Sequence, residues 1–223
     1  MSKAEQEFDA PLITHLQALN RILSEFHGVP NETFRCIGNL FYNHNISYGV
    51  EDDPIAEYQD KRAFFAAALA GRRALLEVGF NAGHSALLAL MGDPALVYTG
   101  IDICQTKYTV PCAQYLAQAF GSRFTLIKGD SREVLPRIAT HHSDRSFDVF
   151  HIDGDHDEGP VRTDISNVLR IARADDLIIL DDTDFPGVAK AYDEYIRLGR
   201  LHPVKLKGFE TVRRQAVARP VPD

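Results

Sequence analysis

Carboxylates recur through the middle of this sequence, each at the end of a short apolar run. Glu77 closes the run that begins at Ala74, Asp102 ends Gly100-Ile101-Asp102, and Asp130 sits in Lys128-Gly129-Asp130-Ser131. Asp153 falls in His151-Ile152-Asp153-Gly154-Asp155-His156, and Asp181-Asp182 follow Leu177-Ile178-Ile179-Leu180. Helix capping accounts for one such acid, and Asp130 or Ser131 suits that role. A whole series needs a common cause, because gathered carboxylates repel one another unless a cation or a donor-rich ligand sits among them. Two ligands account for it. Asp102, 23 positions after Gly79, is placed to accept the hydroxyl protons of a ribose. Asp130, one strand further out, is placed to accept from an adenine amino group. Asp153, Asp181 and Asp182 supply hard oxygen ligands of the kind Mg²⁺ or Ca²⁺ takes. His156 follows Asp153 by three positions, and an imidazole titrating near ~6.5 suits a general base at neutral pH.

These side chains need elements that carry them to one edge. The pivot is Glu77-Val78-Gly79-Phe80-Asn81-Ala82-Gly83-His84-Ser85. A buried strand over 74–78 runs into a loop with two glycines and then a helix over 84–91, an arrangement that brings backbone and helix N–H groups close to a ligand. Further strands are predicted at 97–102, 123–128, 147–153, 176–181, 203–207 and 211–218, with helices at 111–120, 131–139, 160–173 and 186–198 between them. That alternation predicts an α/β fold: a doubly wound, seven-stranded, mostly parallel Rossmann-like sheet. The last two strands, with Gly208 between them, suit a hairpin and an antiparallel member.

Upstream, apolar residues at helical spacing over 11–26 predict an amphipathic helix stopped by Gly28 and Pro30. Residues 31–53 form a loop-rich cap in which His44 and Tyr48 are candidates to face a ligand. Pro54 is expected to start a helix that Gly71 ends. The domain reading is a helical cap or lid over 1–60, the main domain over 61–218 and a disordered tail over 219–223.

A net charge of −7 argues against a non-specific nucleic-acid surface. No apolar run reaches the length of a membrane span, and the polar start lacks a signal peptide's apolar core. Cys36, Cys104 and Cys112 form no CxxC pair and read as thiols of a reducing cytoplasm. The apolar N-terminal helix is a candidate surface for a second subunit.

Glu-Val-Gly-x-x-x-Gly-His-Ser-Ala, followed by His-Ile-Asp-Gly-Asp-His and Leu-Asp-Asp, resembles the class I S-adenosylmethionine-dependent methyltransferases over about residues 58–218. More narrowly it looks like the small-molecule O-methyltransferases that include the cephalosporin- and macrolide-tailoring enzymes. Asn81 replaces the middle glycine of the usual loop, and Asn tolerates positive φ better than most residues. The resemblance implies that Gly79, Asn81, Gly83 and Ser85 border S-adenosylmethionine, with Glu77 supporting the loop or meeting the amino group. Asp102 would bind the ribose, and Asp130 and Ser131 the adenine side. It implies Mg²⁺ on Asp153, Asp181 and Asp182, with His156 as base, and a small-molecule hydroxyl acceptor. A nicotinamide-dependent oxidoreductase is the nearest rival, but it would want a small residue at 84, where this chain has His84. A non-catalytic cofactor-binding partner protein is the other.

Overall fold

The sheet forms where the sequence is most apolar. In the computed structural model, which describes residues 10–27, 40–43, 46–141, 147–209 and 214–221, five strands run parallel: β1 (Ala74–Val78), β2 (Val97–Asp102), β3 (Phe124–Lys128), β4 (Val149–Ile152) and β5 (Leu177–Asp181). β6 (Leu201–Pro203) and β7 (Gln215–Pro220) complete the order β3-β2-β1-β4-β5-β7-β6, and β7 runs antiparallel to both its neighbours. Every residue of β4 and β5 is buried, as a strand covered on both faces requires. One face carries α1 (Ala10–Phe26), α2 (Gln59–Leu69), α3 (His84–Gly92) and α4 (Thr109–Phe120). The other carries α5 (Ser131–His141), α6 (Glu158–Leu169) and α7 (Pro186–Arg197). Among the described residues no helix is long and apolar enough to cross a membrane.

The two-residue period of the strands sorts the polar residues. Leu75, Val149, Leu177 and Ile179 pack on the α1–α4 face, so Glu77, His151 and Asp181 point the same way. Glu77 and His151 are register partners on β1 and β4. Glu77 accepts a hydrogen bond from the Tyr98 hydroxyl and lies 2.6 Å from His151 Nδ1. Tyr98 reaches it across Gly100, where a Cβ would sit 2.8 Å from the hydroxyl oxygen. Helix α2 covers this row, with Phe65 against the His151 ring at 4.9 Å between centroids. Fully burying a side chain such as Phe65 contributes about 1.5–3 kcal/mol.

Strand order reverses between β1 and β4, so a crevice opens at their carboxyl ends. The parallel ladder runs past the strands there: Gly79 N–H donates to Ile101 O and Asp153 N–H to Val78 O, both at 2.9 Å. Gly79 has φ +94°, and a Cβ on it would lie 2.0 Å from the Asp153 carbonyl oxygen. Its conformation and its missing side chain therefore serve the contact between the two loops.

Four expectations need correction. The helix predicted from Pro54 begins later, as a 3₁₀ turn at Ala56–Tyr58 followed by α2. Ile55 is held extended, donating its N–H to Phe41 O while its carbonyl accepts from buried Arg62. β6 lies at Leu201–Pro203 rather than 203–207, because Leu201 is the residue that packs under α7's face of the sheet. β6 and β7 form the expected antiparallel pair, but the connection is longer than Gly208 alone implied, spanning residues 204–214. The tail expected to fray from 219 instead stays in β7 through Pro220, and Val221 N–H donates to Arg200 O at 2.9 Å. Residues 1–9, Gly28, Pro30, Cys36, His44 and the last two positions lie outside the described residues.

Gly79→Ala is expected to cost about 2 kcal/mol or more, since strain and overlap act together. Its urea unfolding midpoint, read beside wild type, measures that cost.

Candidate active site

A cleft of about 540 Å³ occupies the crevice, a size suited to a cofactor-sized ligand. Of the sequence-predicted residues, Gly79, Asn81, Asp102, Asp130, Ser131, Asp153, His156 and Asp182 line it. Glu77, Gly83, Ser85 and Asp181 do not. Glu77 is fully buried beneath the loop, tied to Tyr98 and His151. Ser85 is buried in the first turn of α3, and Gly83, at φ +81°, makes room for the Phe80 ring. Tyr48 is buried and stacked on Tyr42 with ring centroids 4.0 Å apart, away from the cleft. His84 packs against Phe41 and Tyr42, and burial pushes its imidazole down to about 4. Among the described residues none of the first 60 lines the cleft. A groove of about 650 Å³ between α6 and α7 lies elsewhere, and its charges neutralise one another through Arg162 and Lys190 on Glu158.

Of the four non-glycine residues with positive φ among the described residues, Asn81 (51°) and Asp182 (50°) line the cleft and Cys104 (57°) lies between two residues that do, whereas Arg214 (73°) does not line it. Such strain tends to cluster at functional sites. Two of these residues hold Asp102. Its Oδ2 accepts the Asn81 N–H at 2.8 Å and its Oδ1 the Cys104 N–H at 2.6 Å. The Tyr108 hydroxyl donates to Asn81 Oδ1 at 2.8 Å and closes that wall. Asp130 both lines the cleft and caps α5, accepting the Arg132 N–H at 2.9 Å. The Arg132 guanidinium beside it holds its carboxyl below the ordinary range.

The acids expected to share a divalent ion do not all converge. Asp153, His156 and Asp182 place one ligand atom each within 4.8 Å of one another. Asp181 is instead paired with Lys61, whose Nζ lies 2.7 Å from its Oδ2. His156 Nε2 is 3.2 Å from Asp182 Oδ2, and its ring stacks on Phe185 at 4.5 Å.

Residues 76–183 match a family model described as a methyltransferase domain. The chain carries a methyltransferase domain. Its sheet has the class I methyltransferase fold, and solved structures agree in architecture. An O-methyltransferase from Bacillus cereus, in complex with SAH, is 16% identical with a TM-score of 0.64, covering 99% of this chain and 94% of that one. Cofactor-bound Rv0187 from MTB is 18% identical with a TM-score of 0.60, covering 97% and 93%. CalS11, a TDP-rhamnose 3'-O-methyltransferase of calicheamicin biosynthesis, is 16% identical with a TM-score of 0.55, covering 74% and 80%. No curated protein matches the chain in sequence.

Sequence reasoning missed three groups around the methyltransferase domain's cleft. Asp164, on the buried face of α6, accepts a 2.6 Å hydrogen bond from Ser131, and burial raises it to about 6. Its place one turn after Val161 was the available signal. Tyr108 sits in an irregular stretch without periodicity. Lys61 resembles any helix-surface lysine, yet its side chain is only 11% exposed.

The electrostatics follow from these contacts. The Asp182 carboxylate raises His156 above its ordinary value, against the opposing pull of burial. Burial first, and then the neighbouring charges of Asp181 and Asp182, push Asp153 well above the carboxylate range. Asp182 itself is held low: burial opposes its charge, but His156, Lys61 and Arg214 together outweigh that.

Because His156 gains affinity for its proton on folding, the stabilisation it draws from Asp182 is complete below ~6.5 and is lost as pH rises through the raised folded value. Asp182→Asn should therefore lower the His156 titration midpoint seen by NMR. It should also narrow the stability gap to wild type as pH rises above neutral.

Proposed function

We propose that this chain is an S-adenosylmethionine-dependent O-methyltransferase acting on a hydroxyl of a small molecule, with His156 as the general base. The observation that carries the reading is that one cleft joins a nucleoside-sized acidic end, at Asp102 and Asp130, to an imidazole aligned by a carboxylate, at His156 and Asp182. The neighbours support it: the Bacillus cereus protein is an O-methyltransferase seen with SAH, and CalS11 methylates a sugar hydroxyl.

The residues present fit the cofactor. Asp102 keeps lone pairs beyond the two taken by backbone N–H groups, and these suit ribose hydroxyls. Even with Asp153 driven toward its neutral form, acids outnumber basic side chains along the walls, with Asp102, Asp130, Asp155, Asp164 and Asp182 against Arg132 and His156, and a cationic sulfonium is favoured in such a field. When bound, the cofactor supplies an activated methyl group, which leaves with its S–C bond broken as the new C–O bond forms. The chain's own part is alignment and proton removal. His156 takes the hydroxyl proton on a ring nitrogen, and Asp182 steadies the imidazolium that results. Phe185, stacked on the ring and 42% exposed, fixes its plane and offers an apolar wall to the acceptor.

The Mg²⁺ set implied by the resemblance does not fit as it stands. Asp181 is committed to Lys61, and the remaining convergent trio would use the base itself as a ligand.

Transfer of label from methyl-labelled S-adenosylmethionine to a panel of sugar, catechol and polyketide hydroxyls tests the activity. His156→Gln should lower kcat by about 10²–10⁴-fold, while S-adenosylhomocysteine binding is retained. Wild-type kcat/KM should rise with pH through a midpoint above ~6.5, because the base works only when neutral and its proton is held tightly. A His156→Gln enzyme with undiminished turnover rules out this base.

A further inference from the structure

The three-acid cluster already contains a cation of the chain's own. In α2, Lys61 and Phe65 are one turn apart and face the same way. Phe65 lies on His151 of β4, and Lys61 reaches the end of β5. Its Nζ is 2.7 Å from Asp181 Oδ2 and 3.8 Å from Asp182 Oδ1. The Asp181 side chain is 4% exposed. A lysine head does not stay in so dry a place without carboxylates around it, and those carboxylates do not stay there without a cation.

The two oxygens of Asp182 divide between two partners. Lys61 takes the Oδ1 side and His156 Nε2 the Oδ2 side, at 3.8 and 3.2 Å. The backbone of Asp182 is fixed as well, at φ +50° with its N–H donating to Asp181 Oδ1 at 2.8 Å. Lys61 thus anchors the acid pair from one side while His156 meets it from the other. A divalent ion sharing Asp153, Asp181 and Asp182 would have to displace the ammonium.

We propose that Lys61 is the resident cation of this cluster, taking at Asp181 and Asp182 the place that the resemblance gives to Mg²⁺, so that proton removal by His156 proceeds without a divalent ion. Lys61 is a positioning residue: it acts on the acceptor only through Asp182 and the imidazole beyond it. The inference rests on the proposed activity for its consequence in turnover, but not for its account of cation occupancy.

The test is a titration of Mn²⁺ into the full-length protein, following the free-ion signal by electron paramagnetic resonance. Wild type is expected to show no saturable single site up to about 1 mM, whereas Lys61→Met, which leaves hard carboxylate ligands unpaired, gains one site at least about tenfold tighter. Lys61→Arg keeps the charge and should remain without a site. A tight site in wild type that Asp181→Asn abolishes overturns the proposal. So does a Lys61→Met protein that is folded by circular dichroism and gains none. If Lys61→Met does not fold, the wild-type titration decides by itself: no site supports the proposal and a tight one overturns it. None of these outcomes depends on methyl transfer, so an inactive protein leaves them intact. In an active one, EDTA should leave the wild-type rate unchanged.

Discussion

The constraint on which this molecule depends is the concentration of negative charge at one edge of an apolar sheet. Parallel strands deliver their carboxyl ends together, and each of the first five ends within two residues of an acid. Charges in so confined a space must be hydrogen-bonded, paired, protonated or bound by a ligand. All four outcomes divide the edge between them. Asp102 is bonded by backbone N–H groups, Asp181 is paired with Lys61 and Asp153 is driven toward its protonated form, and the proposed cofactor, a cation, would supply the fourth.

The N-terminal segment through α2 matters to the site through that same constraint. It does not reach the cleft wall with its described residues. Instead α2 presses a mixed face onto the sheet, Phe65 on the apolar row and Lys61 on its acidic end. Arg62, the next residue, turns the other way. It donates to Leu40 O and Ile55 O and pins the cap loop, and burial lowers its guanidinium to about 10. Two adjacent basic residues thus link three layers: the loop at Leu40 and Ile55, the helix and the acidic edge of the sheet.

Much of this was legible in the sequence because strand ends mark themselves. A carboxylate at or just past the end of a mainly apolar run stands where a buried strand surfaces, and Asp102, Asp130, Asp153 and Asp182 all arrive at the crevice. The strand–loop–helix around Gly79 was equally plain, as was the antiparallel member near the C-terminus. What failed was geometry set by partners far away in the chain. Asp181 and Asp182 are neighbours in sequence, so both looked like ligands, but successive strand positions face opposite ways and only Asp182, past the strand, turns into the cleft. Glu77, at the end of its strand, reads as supporting the loop or meeting the amino group, but its partners Tyr98 and His151, which reach it only through the sheet register, carried no sequence signal. Lys61 carried no signal at all: a lysine in a helix looks solvent-facing until the strand beneath it is known.

The claim under all of this is that the edge at Asp102 binds an adenosyl nucleoside. Calorimetric titration of S-adenosylhomocysteine into wild type and Asp102→Asn tests it most directly. The account predicts saturable one-to-one binding to wild type that weakens by about tenfold or more in the variant, the effect of impairing a charged hydrogen-bond acceptor. No binding to wild type, or equal binding to both proteins, would contradict it.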